Sequence, residues 1–218
     1  SMWKGCATAS ATRAGVFAAL LAQQGMTGPE APFEGQGGLW AHTGGQQVKM
    51  ERFGKRDEPF RIMSTLFKSF PSQIHTQGPI SLALELRSQI APPEIDAIRL
   101  RTYGIAVRTA ATEPAKWAPQ TRETADHSIP YLVAVAFLDG AVTPASFTKD
   151  RLQDPAVHHL IAKMRVEEDP DFTDRFPEDY PCLLEVTTKN NYKNIKKMWA
   201  CTESEQEKPV QWMTKRGV

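Results

Sequence analysis

The alanine-rich segment over residues 4–24 constrains the fold of this chain more than any other stretch. Its small and apolar residues recur at helical spacing, and Gly25 follows as a typical residue beyond a helix C-terminus. We predict a long helix here. Because this helix is apolar on several sides, it needs other helices around it, and the remaining sequence offers few of matching character. The segment therefore predicts the end of a helical domain that this sequence contains only in part.

A second helix is predicted within residues 124–140. This stretch has a capped start, a fully apolar body and a stop at Gly140. Pro130 is tolerated because it falls in the first turn. A backbone N–H at that position would have no acceptor within the helix, so its absence costs no hydrogen bond. His127 is thereby placed at or just before the N-terminus. It can face a cavity there, or it can serve as a structural cap.

Alternating and apolar segments predict the strands of a sheet. Four segments have this character: residues 60–67, 98–102, 164–168 and 182–188. A helix is predicted over residues 72–90, with loops over 110–122 and 169–181, and helical turns are predicted over 144–147 and 155–164. The predicted fold class is α+β: the end of an all-helical domain followed by an α+β domain with a roughly four-stranded sheet.

Five glycines between residues 35 and 45 predict a flexible loop. Gly-rich loops can cradle phosphate, but no strand precedes this one and no Gly-Lys-Thr/Ser motif follows it. A connection between domains is the better interpretation. Residues 1–58 are then the remainder of a helical domain with this connection, and residues 59–190 are the α+β domain. Residues 191–218 form a C-terminal segment of uncertain structure.

Charge and cysteine content exclude several classes of function. The chain has 26 Lys and Arg against 25 Asp and Glu, a net charge of +1, which argues against a dedicated nucleic-acid surface. No apolar run approaches the roughly 20 residues that cross a membrane. The three cysteines are widely separated and lack metal-ligand spacing. We expect a reducing, cytoplasmic compartment, with no bound metal and no membrane partner.

The stretch over residues 67–77 is the best candidate for chemistry, because several proton-carrying side chains arrive within one helical turn of a proline. Lys68 is a cation at the end of a predicted strand. His75 and Gln77 fall in the first turns of the predicted helix, where unpaired N–H groups and the helix dipole favour an anion. A carboxylate substrate would suit this turn. The alternative interpretation is a solvated lysine, a core histidine and an ordinary turn.

Seven short motifs, in order along the chain, resemble the MmgE/PrpD family. They lie at residues 3–7, 25–29, 33–35, 125–131, 138–140, 163–170 and 184–188. The resemblance covers about residues 3–189. It implies a homodimeric enzyme with a helical domain, an α+β lid domain and an active site in the cleft between them. Members include 2-methylcitrate dehydratases, cis-aconitate decarboxylases and related epimerases, which act on small polycarboxylates without a metal or organic cofactor.

The resemblance also implies roles for individual residues. The predicted substrate-binding residues are Lys4, Lys68, Gln73 and Gln77. The predicted catalytic residues are His75 and His127, since elimination beside a carboxylate needs a positioned acid or base. The decarboxylase branch has a histidine five residues after the second pocket lysine. Because Gln73 stands there in this chain, dehydration or a related elimination is favoured over decarboxylation.

The chain departs from the family in extent. Family members are much longer, and their first half contributes an aspartate and a histidine to the catalytic cluster. We therefore expect this chain alone to have little or no dehydratase activity. The alternatives are a non-catalytic truncated lid fragment or interaction module, and a cis-aconitate decarboxylase-like or epimerase member. The expected partners are a small polycarboxylate and a second copy of the chain or a separate helical half. The expected location is cytoplasmic, or mitochondrial in a eukaryotic source.

Overall fold

The computed structural model describes residues 2–43, 63, 65, 67–190 and 193–198 of the 218-residue chain. Contacts divide the chain into an N-terminal unit, Ser1–Ser64, and a C-terminal unit, Thr65–Val218. The boundary predicted between residues 58 and 59 lies outside the described residues. Most of the strand predicted over residues 60–67 lies outside them as well.

One long helix, α1 (Ala7–Gln23), dominates the described part of the N-terminal unit. A 3-10 helix, Met2–Gly5, precedes it, and Gly25 beyond its end has a φ of +92°, in the left-handed region that favours glycine. The long helix predicted over residues 4–24 is confirmed except for its first turn. No residue of α1 is buried, and Phe17 is 62% exposed. Packing of α1 inside a helical layer therefore stays a prediction.

The glycine-rich segment contains more regular structure than predicted. A short helix, α2 (Leu39–His42), follows Gly38, and the rings of Phe33 and Trp40 lie with their centroids 5.6 Å apart. A Cβ on Gly38 would lie 2.6 Å from the carbonyl oxygen of Phe33. This glycine is needed for a close backbone approach, so the prediction of a flexible loop is wrong at α2.

A mixed sheet forms the centre of the C-terminal unit, with the strand order β2-β1-β3-β4. Its strands are β1 (Ile95–Thr102), β2 (Met164–Glu168), β3 (Cys182–Thr188) and β4 (Lys193–Met198). β1 pairs in parallel with β2 and antiparallel with β3, and β3 pairs antiparallel with β4. The strands predicted over residues 98–102, 164–168 and 182–188 are confirmed. β4 lies in the segment for which no structure was predicted.

Two helices pack closely against each other beside this sheet, α3 (Gln77–Arg87) and α7 (Ile129–Asp139). The shorter helices are α4 (Gly104–Ala110), α5 (Pro114–Trp117), α6 (Arg122–Ala125), α8 (Lys149–Leu152), α9 (Pro155–Ile161) and α10 (Pro170–Asp174). Three further 3-10 helices span Ile74–Thr76, Pro92–Glu94 and Pro144–Phe147. Helices and a mixed sheet together give the predicted α+β class. In the part of the chain described, no helix has the length and apolar content that a membrane crossing requires.

The two predicted loops each contain a short helix. α5 interrupts the segment over residues 110–122, and α10 interrupts the segment over residues 169–181. Both begin with a proline, whose fixed φ suits the first helical position. Asp169 also caps α10, because its side chain accepts a hydrogen bond from the Asp171 N–H. These helices were not predicted, because the two segments are polar and show no helical periodicity.

α7 lies at the centre of the hydrophobic core. Ser128 caps its N-terminus by accepting a hydrogen bond from the Tyr131 N–H, and Gly140 ends it with a φ of +71°. Every residue from position 129 to position 137 is buried. A helix that is apolar on all sides is stable only when other elements surround it, as α3 and α9 do here. The capped helix predicted over residues 124–140 is confirmed, with its first residue at Ile129.

Replacing Gly140 with alanine should destabilise the C-terminal unit by about 1–2 kcal/mol, because the added Cβ makes the left-handed conformation costly. The same Cβ would lie 3.0 Å from the Arg87 guanidinium carbon. Urea unfolding followed by circular dichroism measures the loss. Gly140→Asn is the matched control, since asparagine has a Cβ but tolerates this conformation. Equal losses in the two variants would attribute the effect to crowding by Arg87 instead of backbone strain.

Candidate active site

The segment predicted as the start of a long helix folds as a separate turn. The helix predicted over residues 72–90 divides into the 3-10 helix Ile74–Thr76 and α3, which begins at Gln77. Pro79 explains the division, because its ring would clash with the carbonyl of His75 in a continuous α-helix. The first residues of α3 are buried. Binding of an anion at this helix N-terminus stays a prediction.

Gln77 holds the turn together through its side-chain amide. Its Oε1 accepts a hydrogen bond from the Phe70 N–H at 3.0 Å, and its Nε2 donates to the Phe70 carbonyl at 3.2 Å. Nε2 also lies 2.9 Å from the Ser72 hydroxyl. Gln77 is 8% exposed. These contacts give Gln77 a positioning role, and direct substrate binding by this residue stays a prediction.

Lys68 places a cation on the outside of the same turn. Its side chain is exposed, and Nζ donates a hydrogen bond to the Ser72 carbonyl oxygen at 2.7 Å. An ammonium group has three N–H donors, so this bond orients Lys68 and leaves further donors for an anion. The geometry is compatible with the predicted role of Lys68 in binding a carboxylate.

Gln73 connects the turn to the segment that precedes α7. Its backbone N–H donates to the Asp126 carbonyl oxygen at 2.8 Å. Its side-chain Nε2 lies 3.4 Å from the Thr109 hydroxyl, a long hydrogen bond. Its Oε1 is buried, and no hydrogen-bond donor reaches it from the described residues. The backbone bond places the turn beside Asp126 and His127.

His75 lies in an aromatic cluster formed with Tyr103, Phe176 and Tyr180. Its Nδ1 is 2.7 Å from the Tyr103 hydroxyl oxygen, and its ring centroid lies 6.0 Å from that of Phe176 and 6.2 Å from that of Tyr180. Burial, and to a smaller extent the positive charge that His127 can carry, lower the pKa of His75. The lowered pKa favours the neutral form of His75.

His127 is paired with the neighbouring carboxylate. Its Nδ1 lies 2.6 Å from Asp126 Oδ1, and its side chain is 33% exposed. It directly precedes Ser128, the cap of α7, so the start of that helix determines its position. The backbone hydrogen bond from Gln73 to the Asp126 carbonyl oxygen places the segment that carries His127 beside the turn that carries His75.

Five of the six predicted site residues are brought together in the C-terminal unit by these contacts: Lys68, Gln73, His75, Gln77 and His127. The sixth, Lys4, is an exposed residue of the 3-10 helix Met2–Gly5 in the N-terminal unit. Across the ranges that the structure describes, no group of three or more His, Cys, Asp or Glu side chains is arranged to hold a metal ion.

Four side chains in direct contact with the predicted histidines were not identified from the sequence: Tyr103, Asp126, Phe176 and Tyr180. The contact of Asp126 was predictable from the sequence, because an acidic residue next to a histidine can accept a hydrogen bond from it. Tyr103 has a weaker signal, because it directly follows the alternating strand β1. Phe176 and Tyr180 belong to the connection between α10 and β3, about 100 positions from His75, and nothing in their local sequence indicates the contact.

Family models match both parts of the chain. The MmgE/PrpD C-terminal domain matches residues 70–212, and the MmgE/PrpD N-terminal domain matches residues 1–51. The first match alone covers more than half of the 218 residues. The chain belongs to the MmgE/PrpD family. Within the MmgE/PrpD C-terminal domain lie Gln73, His75, Gln77 and His127, whereas Lys4 lies in the N-terminal match.

The MmgE/PrpD relatives compared with this chain include 2-methylcitrate dehydratases and a cis-aconitate decarboxylase. The chain is 31% identical to a 2-methylcitrate dehydratase of Salmonella typhimurium over 182 residues, which are 78% of the chain and 36% of that relative. It is 28% identical to a mitochondrial 2-methylcitrate dehydratase of Yarrowia lipolytica over 188 residues, 81% of the chain and 34% of the relative. A cis-aconitate decarboxylase of Mus musculus is 29% identical over 132 residues, 57% of the chain and 26% of the relative. The chain thus spans about a third of the length of the curated relatives it matches.

Proposed function

We propose that this chain contributes part of the active site of an MmgE/PrpD lyase that removes water from a small polycarboxylate such as 2-methylcitrate. The observation that carries the proposal is that two oriented pairs, His75–Tyr103 and His127–Asp126, lie on segments joined by the Gln73–Asp126 backbone hydrogen bond, in the unit that also holds Lys68. Acid/base side chains beside a cation suit proton abstraction next to a carboxylate. Two relatives of the chain are named 2-methylcitrate dehydratase, which supports the same chemistry.

In this proposal each group has one role in a balanced elimination. Lys68 binds a substrate carboxylate. His127 removes a proton from the carbon beside a carboxylate, and the electron pair of that C–H bond forms the new C=C bond. The C–O bond on the neighbouring carbon breaks, and the departing hydroxide takes the proton from the His127 imidazolium to form water. His75 stabilises the charge that develops on the carboxylate oxygen.

Gln73 supports dehydration over decarboxylation within the family. It stands five residues after Lys68, where the decarboxylase branch has a pocket histidine. An amide side chain cannot exchange a proton with substrate at neutral pH, whereas an imidazole can. The likeness to a mouse cis-aconitate decarboxylase keeps decarboxylation as the second candidate.

The proposal extends to assembly and location. The unit from Thr65 onward serves as the lid domain, with a sheet of about four strands, and the catalytic cluster also draws on the helical domain of a longer or second chain. A homodimer of such chains in the cytoplasm, or in mitochondria of a eukaryotic source, follows the family pattern.

The 218 residues alone should turn over 2-methylcitrate far more slowly than a full-length relative, and a comparable rate in a steady-state assay would contradict this division of the site.

The proposal predicts that Lys68→Ala weakens binding of a tricarboxylate such as citrate by about tenfold. One charge-assisted hydrogen bond on an exposed side chain is lost, and about 1.4 kcal/mol corresponds to that factor. Isothermal titration calorimetry on the full chain measures the affinity. Lys149→Ala is the matched control, because Lys149 is an exposed lysine on α8 outside the site. An equal effect of both variants, or no effect of either, would contradict the role of Lys68.

A further inference from the structure

The two histidines of the site have hydrogen-bond partners of opposite character. Tyr103 ends in a hydroxyl, which can donate a proton to His75 Nδ1 at 2.7 Å. Asp126 ends in a carboxylate, which can only accept one from His127 Nδ1 at 2.6 Å. In a neutral imidazole one nitrogen carries the proton and the other the lone pair, so a partner at Nδ1 determines the state of Nε2.

Tyr103 is the donor in its pair. Its side chain is 2% exposed, and burial raises the pKa of Tyr103 far above its ordinary value, so the hydroxyl keeps its proton. Among the described residues, the hydrogen bond that the structure gives this hydroxyl is the one to His75. If His75 donated instead, the buried O–H would lack an acceptor, an arrangement disfavoured by about five- to a hundredfold.

We infer that Tyr103 and Asp126 hold the two imidazoles in opposite tautomers, with the proton on Nε2 in His75 and on Nδ1 in His127. Tyr103 is thus a positioning residue. This inference rests on the proposed function, because it assigns the two histidines their roles toward a polycarboxylate. It distinguishes them where the sequence left either histidine free to move the proton.

The assignment restricts what each histidine can do. A neutral Nε2–H is too weak an acid to be released, so His75 donates a hydrogen bond to a carboxylate or hydroxyl oxygen without transferring its proton. The lone pair on His127 Nε2 accepts the proton from carbon, and Asp126 stabilises the imidazolium that forms. Burial of His75 against three aromatic rings lowers the pKa of His75, which favours its neutral form.

Nitrogen-15 NMR of the histidine-labelled full chain tests the inference without substrate. At about pH 8, above the ordinary histidine pKa, long-range proton–nitrogen correlations distinguish the two neutral tautomers. The chain has five histidines, His42, His75, His127, His158 and His159, and His75→Gln and His127→Gln variants assign the signals. We expect His75 as Nε2–H and His127 as Nδ1–H. A neutral histidine in water already prefers Nε2–H, so His127 is the more demanding test, and exposed His159 is the internal reference.

Tyr103→Phe separates the tyrosine's effect from the intrinsic preference of imidazole. It should lower the ratio of Nε2–H to Nδ1–H at His75 by about tenfold, the factor that one net hydrogen bond supports. In the unmodified chain, the Tyr103 hydroxyl proton should also show a coupling to His75 Nδ1 across the hydrogen bond. This second measurement decides the role of Tyr103 even if the variant does not fold.

Three results would overturn the inference: Nδ1–H at His75, Nε2–H or an imidazolium at His127, or an unchanged His75 ratio in Tyr103→Phe. Loss of tricarboxylate binding in calorimetry with the expected tautomers would contradict only the proposed function. Intact binding with the wrong tautomers would contradict only the inference.

Discussion

Val133→Asp is expected to unfold the C-terminal unit or to lower its free energy of unfolding by about 4 kcal/mol or more. Val133 is 0% exposed in the middle of α7, where an ionised carboxylate has neither water nor a cation. Since domains of this size are stable by only about 5–15 kcal/mol, one such group removes a large part of the total. Urea unfolding followed by circular dichroism gives the size of the loss.

Val16→Asp is the matched control, because it makes the same chemical change at a residue of α1 that is 57% exposed. Exposed substitutions away from special contacts usually change stability by less than about 0.5 kcal/mol. A loss at Val16 as large as that at Val133 would show that α1 is covered in solution. A small loss at Val133 would contradict the central position of α7 in the core.

The elements that the sequence predicted best are those whose signals are local. α1 and α7 have apolar residues along their whole length and a glycine just beyond the end, and β1 alternates in burial. Short helices such as α5 and α10 were missed because four or five residues show no periodicity. β4 was missed because its strand structure depends on pairing with β3. The sequence of residues 193–198 does not indicate this pairing.

The candidate site was predictable only where its parts are close in sequence. Lys68, Gln73, His75 and Gln77 fall within ten residues, so a single turn brings them together. The contact between this turn and His127 depends on a backbone hydrogen bond from Gln73 to Asp126, which no side-chain pattern indicates. The bonds of the buried Gln77 amide to the Phe70 backbone were not predictable either, because they depend on how the turn folds.

Ser128, which directly follows His127, caps the N-terminus of α7. The Ser128 hydroxyl accepts from the Tyr131 N–H at 3.1 Å and donates to the carbonyl oxygen of Lys116. It is 0% exposed, so no water replaces either bond. Ser128→Ala should therefore lower the free energy of unfolding by about 2–3 kcal/mol, from the lost cap and the unsatisfied carbonyl. Urea unfolding measures this loss.

Thr121→Ala is the control for Ser128→Ala, because Thr121 caps α6 through a 3.3 Å bond to the Thr124 N–H but is exposed. Its loss should stay below about 1 kcal/mol, since water can replace the hydroxyl. Equal losses at the two caps would mean that burial adds nothing at Ser128. Because Ser128 determines where α7 begins, its substitution should also shift the His127 ring signals in the nitrogen-15 spectrum, whereas Thr121→Ala should leave them in place.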